Sequence, residues 1–249
     1  MNADYHPEIW AVLPAAGSGR RMQSEIPKQY LSLLGRPVLQ WSLDAVTRHR
    51  LVRGTVIALA EGDPWWPRTR LHSDKPVLTV GGGAERSESV FNALSLLRGQ
   101  AGADSWVLVH DAVRPCLTEA EVEALLGRGM NSAGGGLLAS PVRDTLKRED
   151  NAGCVARTAE RSGLWYAMTP QLFPLRSLHA ALARVIEQGL EVTDEAQAME
   201  QFGQRPVLVE GRSTNLKITR PADLPLAKAI LLALHPELET DHVPDRTGL

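Results

Sequence analysis

The chain has 249 residues, a formal net charge of −2 and 43% hydrophobic residues. It is long enough to bury a substantial core, and it lacks the basic excess of proteins that bind nucleic-acid polymers. Its two cysteines, Cys116 and Cys154, match no zinc or disulfide spacing. Residues 1–10 lack the basic and apolar segments of a secretory signal. We expect a single cytoplasmic domain over residues 1–249.

Short apolar runs alternate with amphipathic segments along the chain. The runs are nearly continuous in apolar side chains, which is typical of strands buried on both faces of a parallel sheet. They cover residues 9–15, 55–60, 77–82, 106–112, 136–142 and 206–211. Helices are predicted over residues 85–98, 118–129 and 173–188. The alternation predicts a doubly wound α/β fold with a mostly parallel, Rossmann-like sheet.

Two polar regions interrupt or follow this pattern. Residues 143–170 contain "REDNAG", which is turn chemistry, and their flanks could pair as a β-hairpin arm. The region has too little apolar surface for a core of its own. The sequence leaves open whether it is an arm that lies on a second subunit or a mobile surface loop. Residues 236–249 are polar and contain proline, so we expect a flexible tail.

The stretch "LPAAGSGRRMQSEIPKQY", residues 13–30, follows the first predicted strand. It is not a Walker A loop, because Arg20 stands after Gly19 where that motif requires lysine. It is not a complete dinucleotide fingerprint either, because Met22 stands in place of the third glycine. The acidic residue expected about 20 positions later is also missing, which disfavours a nicotinamide oxidoreductase.

The same stretch nevertheless has the chemistry of an anion site. A glycine-rich turn after a buried strand lets backbone N–H groups approach a phosphate closely. Arg20, Arg21 and Lys28 add three cations, a charge density that suits a triphosphate. The alternative interpretation is a tight turn whose arginines are solvated.

Three further stretches carry polar residues with two interpretations each. Asp111 ends the strand in "VLVHDAVRP", where a carboxylate suits Mg²⁺ but could also pair with Arg114. Lys217 falls on one face of the alternating stretch "NLKIT", which predicts a strand with that lysine solvent-exposed. Thr193 in "EVTDEAQAM" and Ser87 in "GGGAERSESV" are expected to cap helices.

Seven motifs in order resemble the 2-C-methyl-D-erythritol 4-phosphate cytidylyltransferase family over residues 9–232. They are "PAAGSGRRM…PKQY", "GGGAERSESV", "VLVHDAVRP", "PVRDTLKR", "GLWYAMTPQ", "TDEAQAM" and "NLKITRP". The resemblance implies a nucleotidyltransferase fold and transfer of a cytidylyl group from CTP to the sugar phosphate, with release of pyrophosphate. It also implies Mg²⁺ as cofactor and a homodimer joined through the arm.

The resemblance also assigns residues to roles. It implies catalytic roles for Arg20, Lys28 and Lys217, and Asp111 as the Mg²⁺ ligand. It places around CTP the residues Pro14, Ala15, Ala16, Gly17, Gly19, Arg21, Gly83, Ser89 and Ala112. It places around the sugar phosphate the residues Thr145, Arg161, Thr169, Thr193 and Lys217, of which Thr145 and Arg161 would reach a neighbouring subunit's site from the arm. Ala84 departs from the pattern, because some relatives carry an acidic side chain there.

Two alternative functions remain. One is a related cytidylyltransferase for another polyol phosphate, such as ribitol 5-phosphate. The other is a nucleotide-binding protein without catalysis, which would have no use for Lys217 and a second phosphate site.

Overall fold

A computed structural model of the chain describes residues 7–17, 22 and 24–238. Among these residues, two short strands form a hairpin before the first α-helix, and nine further strands belong to the main sheet or to the arm. The strands are β1 (Ile9–Pro14), β2 (Ser32–Leu33), β3 (Arg36–Pro37), β4 (Val52–Leu59), β5 (Val77–Gly81), β6 (Trp106–Val109), β7 (Gly136–Pro141), β8 (Leu146–Glu149), β9 (Val155–Ala159), β10 (Trp165–Pro174) and β11 (Val207–Glu210). The helices are α1 (Val38–Thr47), α2 (Arg86–Arg98), α3 (Glu119–Gly129), α4 (Leu175–Glu187), α5 (Glu195–Gln201) and α6 (Asp223–Leu234).

The main sheet has seven strands in the order β11-β7-β10-β6-β1-β4-β5. The pairs β6-β1, β1-β4, β4-β5 and β11-β7 are parallel, while β10 is antiparallel to both of its neighbours. This confirms the predicted mostly parallel α/β sheet. All six predicted strands lie in it, and the three predicted helices correspond to α2, α3 and α4 within two residues at each end.

The sheet is covered on both faces because its strands are apolar on both. In β1, Ile9, Ala11 and Leu13 pack into the cluster that contains the buried residues of α1 and α3. Trp10 and Val12 point the other way, into the cluster formed with α2 and α4. Successive side chains of a strand face opposite sides, so a strand buried on both sides must be apolar throughout.

A third, smaller cluster fixes the segment that carries Lys217. Ile218 is fully buried there with Trp41 and Val113, and α6 contributes Ala227 and Leu231. The backbone N–H of Ile218 donates to the carbonyl of Val113, 2.9 Å away. The predicted strand at "NLKIT" is therefore wrong: the alternation is real, but this segment is irregular and is held against the loop after β6 instead of a neighbouring strand.

The polar region forms a hairpin, although a shorter one than the sequence predicts. β8 and β9 pair antiparallel, and a hydrogen bond from Val142 N to Leu164 O closes the base of the arm. Residues 165–170, assigned to the arm by the sequence analysis, belong to β10 in the middle of the main sheet. Of the expected tail, residues 236–238 form one helical turn after α6, and the rest lies outside the described residues.

Candidate functional site

Parallel strands bring the predicted motifs to one edge of the sheet. β1, β4, β5 and β6 all end at this edge, and residues that follow β1, β5 and β6 line a cleft there. Lys28, Asp111 and Lys217 all line the cleft. So do seven of the residues expected around CTP: Pro14, Ala15, Ala16, Gly17, Gly83, Ser89 and Ala112. Gly19, Arg20 and Arg21 lie outside the described residues.

A short helical turn at residues 28–30 contacts both the loop after β1 and the segment that carries Lys217. The side chain of Gln29 is buried, and its Nε2 donates to the carbonyls of Ala15 (2.7 Å) and Gly17 (3.2 Å). The next-door Lys28 donates from Nζ to the carbonyl of Ile218, 3.0 Å away. The contact places the ammonium beside the segment that carries Lys217. Sequence reasoning identified Lys28 but not Gln29, which lies within the quoted "PKQY" motif.

Asp111 lies at the centre of a cluster of charged side chains in the cleft. Its carboxylate is 3.0 Å from Nζ of Lys217, 3.2 Å from Nε of Arg114 and 3.2 Å from Nε of Arg86. Burial alone would raise the pKa of Asp111, but the three cations outweigh burial and hold the pKa well below its usual range. The carboxylate is therefore ionised at any physiological pH. Of the two interpretations left open by the sequence, pairing with Arg114 is present in the structure.

A chain of hydrogen bonds fixes the backbone of Asp111. Its N–H donates to Oγ1 of Thr169, which lies 3.0 Å from Nδ1 of His110. His110 Nε2 is 3.0 Å from the carbonyl of Arg114, so Nε2 carries the proton and Nδ1 accepts from the threonine hydroxyl. Burial lowers the pKa of His110 to about 4, which keeps the ring neutral. Thr169 thus holds the backbone of Asp111 in place through its hydroxyl, a role that its assignment to the sugar phosphate did not include.

The turn after β5 packs closely on the first loop. A Cβ at Gly82 would lie 2.4 Å from Cβ of Ala16, so only glycine fits. Ser89 is buried, and its hydroxyl accepts from the N–H of Gly83 at 3.0 Å. Ser87 does not cap α2: Glu85 precedes the helix, and Oε2 of Glu88 accepts from the N–H groups of Ala84 and Glu85. The Ala84 methyl offers no polar group, so the polar groups at this position of the turn are those of the backbone.

Arg86 and Glu195 were missed by sequence reasoning. Arg86, the first residue of α2, reaches Asp111 with Nε and Oε1 of Glu195 with Nη1, at 2.5 Å. Glu195 is 1% exposed, and its Oε2 has no hydrogen-bond partner among the described residues. Burial raises the pKa of Glu195, and Arg86 opposes that effect. A usable signal existed: a cation at the first position of a helix opposes the helix dipole, which indicates an acidic partner.

A second cavity adjoins the cleft on the far side of Asp111. Thr169, Thr193 and Lys217 line it together with Asp111, and so do Arg86 and Arg114. The prediction that Thr193 is the N-cap of α5 is wrong: Asp194 takes that place, with Oδ1 accepting from Gln197 N at 2.8 Å. The Thr193 hydroxyl instead donates to Oε1 of Gln197. Asp194 also accepts from Nε2 of Gln171, which keeps the Asp194 carboxylate at the N-terminus of α5.

Thr145 and Arg161 are part of neither cavity. Both are exposed on the arm, and neither lines the cleft or the adjoining cavity. The Arg161 guanidinium donates to the carbonyl of Arg143, within the arm. Within one chain, therefore, the structure brings Thr169, Thr193 and Lys217 together but not Thr145 and Arg161.

The donor groups around Asp111 limit the kind of metal site that is possible. Among the described residues no group of three or more His, Cys, Asp or Glu side chains could enclose an ion. Mg²⁺, however, is commonly held by one or two carboxylates and completed by substrate phosphates and water. Asp111, an ionised aspartate that lines the cleft, fits that arrangement. No helix among residues 7–17, 22 and 24–238 has the length and apolar character needed to cross a bilayer.

The comparisons with known proteins agree with one another. The family model for 2-C-methyl-D-erythritol 4-phosphate cytidylyltransferase (IspD) matches residues 9–233. A relative of that name from Halorhodospira halophila is 54% identical over 228 residues, covering 90% of this chain and 94% of the relative. One from Pseudomonas putida is 51% identical over 222 residues, covering 89% and 94%.

Solved structures give the same result. A crystal structure of 4-diphosphocytidyl-2C-methyl-D-erythritol synthase superposes with a TM-score of 0.79 at 37% identity, over 91% of this chain and 100% of that one. The Francisella tularensis 2-C-methyl-D-erythritol 4-phosphate cytidylyltransferase gives a TM-score of 0.78 at 33% identity, over 90% and 99%. The chain belongs to the 2-C-methyl-D-erythritol 4-phosphate cytidylyltransferase family.

Proposed function

We propose that this chain transfers the cytidylyl group of CTP to 2-C-methyl-D-erythritol 4-phosphate, yielding the CDP-linked methylerythritol and pyrophosphate. Family membership supports both substrates. The observation that carries the proposal is the convergence of Lys28, Asp111 and Lys217 on one cleft. Three segments far apart in the sequence supply these charges, and a simple nucleotide-binding turn does not require all of them.

The reaction joins two anions. An oxygen of the acceptor phosphate attacks the α-phosphorus of CTP; a new P–O bond forms as the bond to the bridging oxygen of the β-phosphate breaks, and pyrophosphate leaves. A phosphate monoester has a second pKa of about 6, so the acceptor is already a dianion at neutral pH. No side chain has to remove a proton. His110, the histidine nearest Asp111 in the chain, is fully buried and engaged on both ring nitrogens.

Charge stabilisation and positioning then supply most of the rate enhancement. Lys28 neutralises the CTP phosphates from the first loop, and Lys217 stands between the cleft and the adjoining cavity, where acceptor and α-phosphate meet. The proximity of Lys28 Nζ to the segment of Lys217 supports this division. Arg20 and Arg21 are proposed, from the sequence, to serve the reacting phosphoryl group and the leaving pyrophosphate respectively.

Asp111 is the residue that would hold Mg²⁺. Bound there, Mg²⁺ would neutralise phosphate charge and help to orient the nucleotide. The three cations around Asp111 keep its carboxylate ionised, which is the form that binds a metal ion. The cytosine would lie against the turn at Gly83 and Ser89, with backbone groups as the source of selectivity because Ala84 has no polar side chain.

The acceptor would occupy the cavity beside Thr169 and Thr193. We further propose a homodimer in which Thr145 and Arg161 on the arm complete the acceptor site of the neighbouring subunit. The arm's exposure supports this, and so does the fact that neither residue lines the cleft or the adjoining cavity of its own chain. A reducing, cytoplasmic location is supported by the two free cysteines.

A pyrophosphate-release assay tests the function. The chain is incubated with each of the four nucleoside triphosphates, MgCl₂ and a panel of polyol phosphates. We expect release with CTP and 2-C-methyl-D-erythritol 4-phosphate, and loss of release with a chelator. A clear preference for ribitol 5-phosphate would support the related cytidylyltransferase instead. Release with no combination at all, from a chain that binds CTP, would support a non-catalytic nucleotide-binding protein.

A further inference from the structure

We infer that Glu195, acting through Arg86, is a positioning residue for Asp111. The inference rests on the proposed function, because it concerns the rate of the same reaction. It assigns a role to two residues that the resemblance leaves without one. Arg86 forms the link, and Glu195 is the buried anchor at its far end.

The link is a continuous line of three side chains. Glu195 Oε1 is 2.5 Å from Nη1 of Arg86, and Arg86 Nε is 3.2 Å from Oδ1 of Asp111. The exposed fractions of the three side chains are 1% for Glu195, 29% for Arg86 and 7% for Asp111. The line therefore runs from the interior to the cleft and is shielded for most of its length.

Arg86 decides how the Asp111 carboxylate is turned. Lys217 and Arg114 both bind Oδ2, whereas Arg86 binds Oδ1. Without Arg86, cations would hold only Oδ2, and the carboxylate could rotate more freely about the Cβ–Cγ bond of Asp111. With it, both oxygens are fixed, and Oδ2 is held toward Lys217.

Glu195 can affect the reaction only indirectly. It lines neither the cleft nor the adjoining cavity, whereas Arg86 and Asp111 line both. A substrate in either cavity would meet Arg86 but not Glu195. The side chain of Glu195 contacts Arg86, which lines the cleft, so we expect its effect on turnover to pass through the arginine.

The arrangement is costly, which argues for a use beyond stability. Arg86 is the first residue of α2, where a positive charge opposes the helix dipole. Glu195 is desolvated, and its Oε2 has no hydrogen-bond partner within the part of the chain described. Buried ion pairs are commonly no more stabilising than apolar residues of the same size. An apolar pair at these positions could hold α2 against α5 equally well, but it could not orient a carboxylate.

Glu195→Gln is the first test. The amide keeps the size and one acceptor oxygen but removes the charge that anchors Arg86. We expect kcat to fall about tenfold with the KM for CTP unchanged, since the substrates do not touch Glu195. Glu200→Gln, an exposed substitution on the same helix, should leave both constants unchanged. Wild-type kcat in Glu195→Gln, or an altered KM alone, would overturn the inference.

A double-mutant cycle tests the route. Arg86→Gln should lower kcat, and adding Glu195→Gln to it should lower kcat no further, because the link is already broken. Multiplying effects would mean that the two residues act independently, against the inference. The wild-type chain is the reference: if it released no pyrophosphate the proposed function would fail, whereas normal Glu195→Gln turnover in an active enzyme would refute only the positioning role.

A second double variant covers the case in which single variants unfold. Arg86→Met with Glu195→Met removes both charges and keeps the volume, so the urea midpoint should return close to wild type. We expect turnover to stay depressed at least tenfold in this folded variant. Recovery of both stability and rate would show that the pair only supports the fold.

Discussion

The ammonium of Lys217 lies 3.0 Å from Oδ2 of Asp111, although the two residues are far apart in the sequence. Asp111 follows a central strand, whereas Lys217 lies in an irregular segment held by the buried Ile218. Lys28 reaches that same segment through the Ile218 carbonyl. Two lysines and an aspartate from three parts of the chain are thus fixed around one cleft.

Lys28→Ala is expected to lower kcat/KM by two or more orders of magnitude, about the loss on removing one transition-state contact. Lys75→Ala is a matched control, because Lys75 also donates to a backbone carbonyl, that of His49, but outside the cleft. Steady-state kinetics with CTP varied would check both. Turnover near the wild-type level in Lys28→Ala would remove this residue from the mechanism.

Asp111→Asn is expected to destabilise the fold by about 3 kcal/mol, because it leaves three cations around a neutral amide. Lys217 can turn toward solvent, which limits the loss. Asp44→Asn breaks a more exposed pair with Arg36 and should cost less than about 1 kcal/mol. Urea unfolding monitored by circular dichroism measures both. Equal losses in the two variants would contradict the central position of Asp111.

Stability should fall between pH 7 and pH 5 because of His110. The folded chain keeps this ring neutral down to a pKa of about 4, whereas the unfolded chain takes up a proton near pH 6.5. The unfolded state binds more protons in that window, so the free energy of unfolding decreases as the pH falls, by roughly 2 kcal/mol. The depressed pKa of Asp111 acts in a separate window, below about pH 4.

His110→Gln provides the comparison for that measurement. Its side-chain amide can still donate to the Arg114 carbonyl but does not titrate. Urea unfolding at pH 7 and pH 5 should show a smaller difference for the variant than for the wild-type chain. The same difference in both proteins would mean that another group causes the pH dependence.

Mixing two inactive variants tests the proposed role of the arm. Arg161→Ala and Lys28→Ala should each be slow alone. Co-refolded in equal amounts, they should regain up to about a quarter of wild-type activity, because statistical mixing makes half the dimers heterodimers, each with one intact site. Lys147→Ala, also on the arm, is the control for general damage to the hairpin. No recovery, with heterodimers verified by mass, would place Arg161 in its own chain's site or in none.

The parts of the fold that the sequence predicts are those with a regular pattern. Six strands were recognisable because strands buried on both faces are continuous apolar runs. β10 was missed because its first residues, 165–170, were assigned to the polar arm and its last two, 173–174, to the predicted helix. "NLKIT" alternates for a different reason: Ile218 is buried in a small cluster, with no strand beside it.

The site was predictable where chemistry is local to a motif. Lys28 and Asp111 stand in motifs whose position after a strand indicates their use. The sequence analysis assigned no role to Arg86 and Glu195, since their partnership depends on how α2 and α5 approach each other. Thr193 was assigned a cap because threonine suits that position, yet Asp194 takes it. Propensity ranks candidates for a cap but does not choose between neighbours.

The central claim is that converging charges let two anions react without a side chain acting as base. The direct measurement is the pH dependence of kcat/KM for the acceptor, compared with that of a phosphonate analogue whose second ionisation occurs at higher pH. If the acceptor must arrive as a dianion, the acidic limb lies near its second pKa of about 6 and moves upward with the analogue. An acidic limb that stays at the same pH for both acceptors would report a basic group of the enzyme and contradict the account.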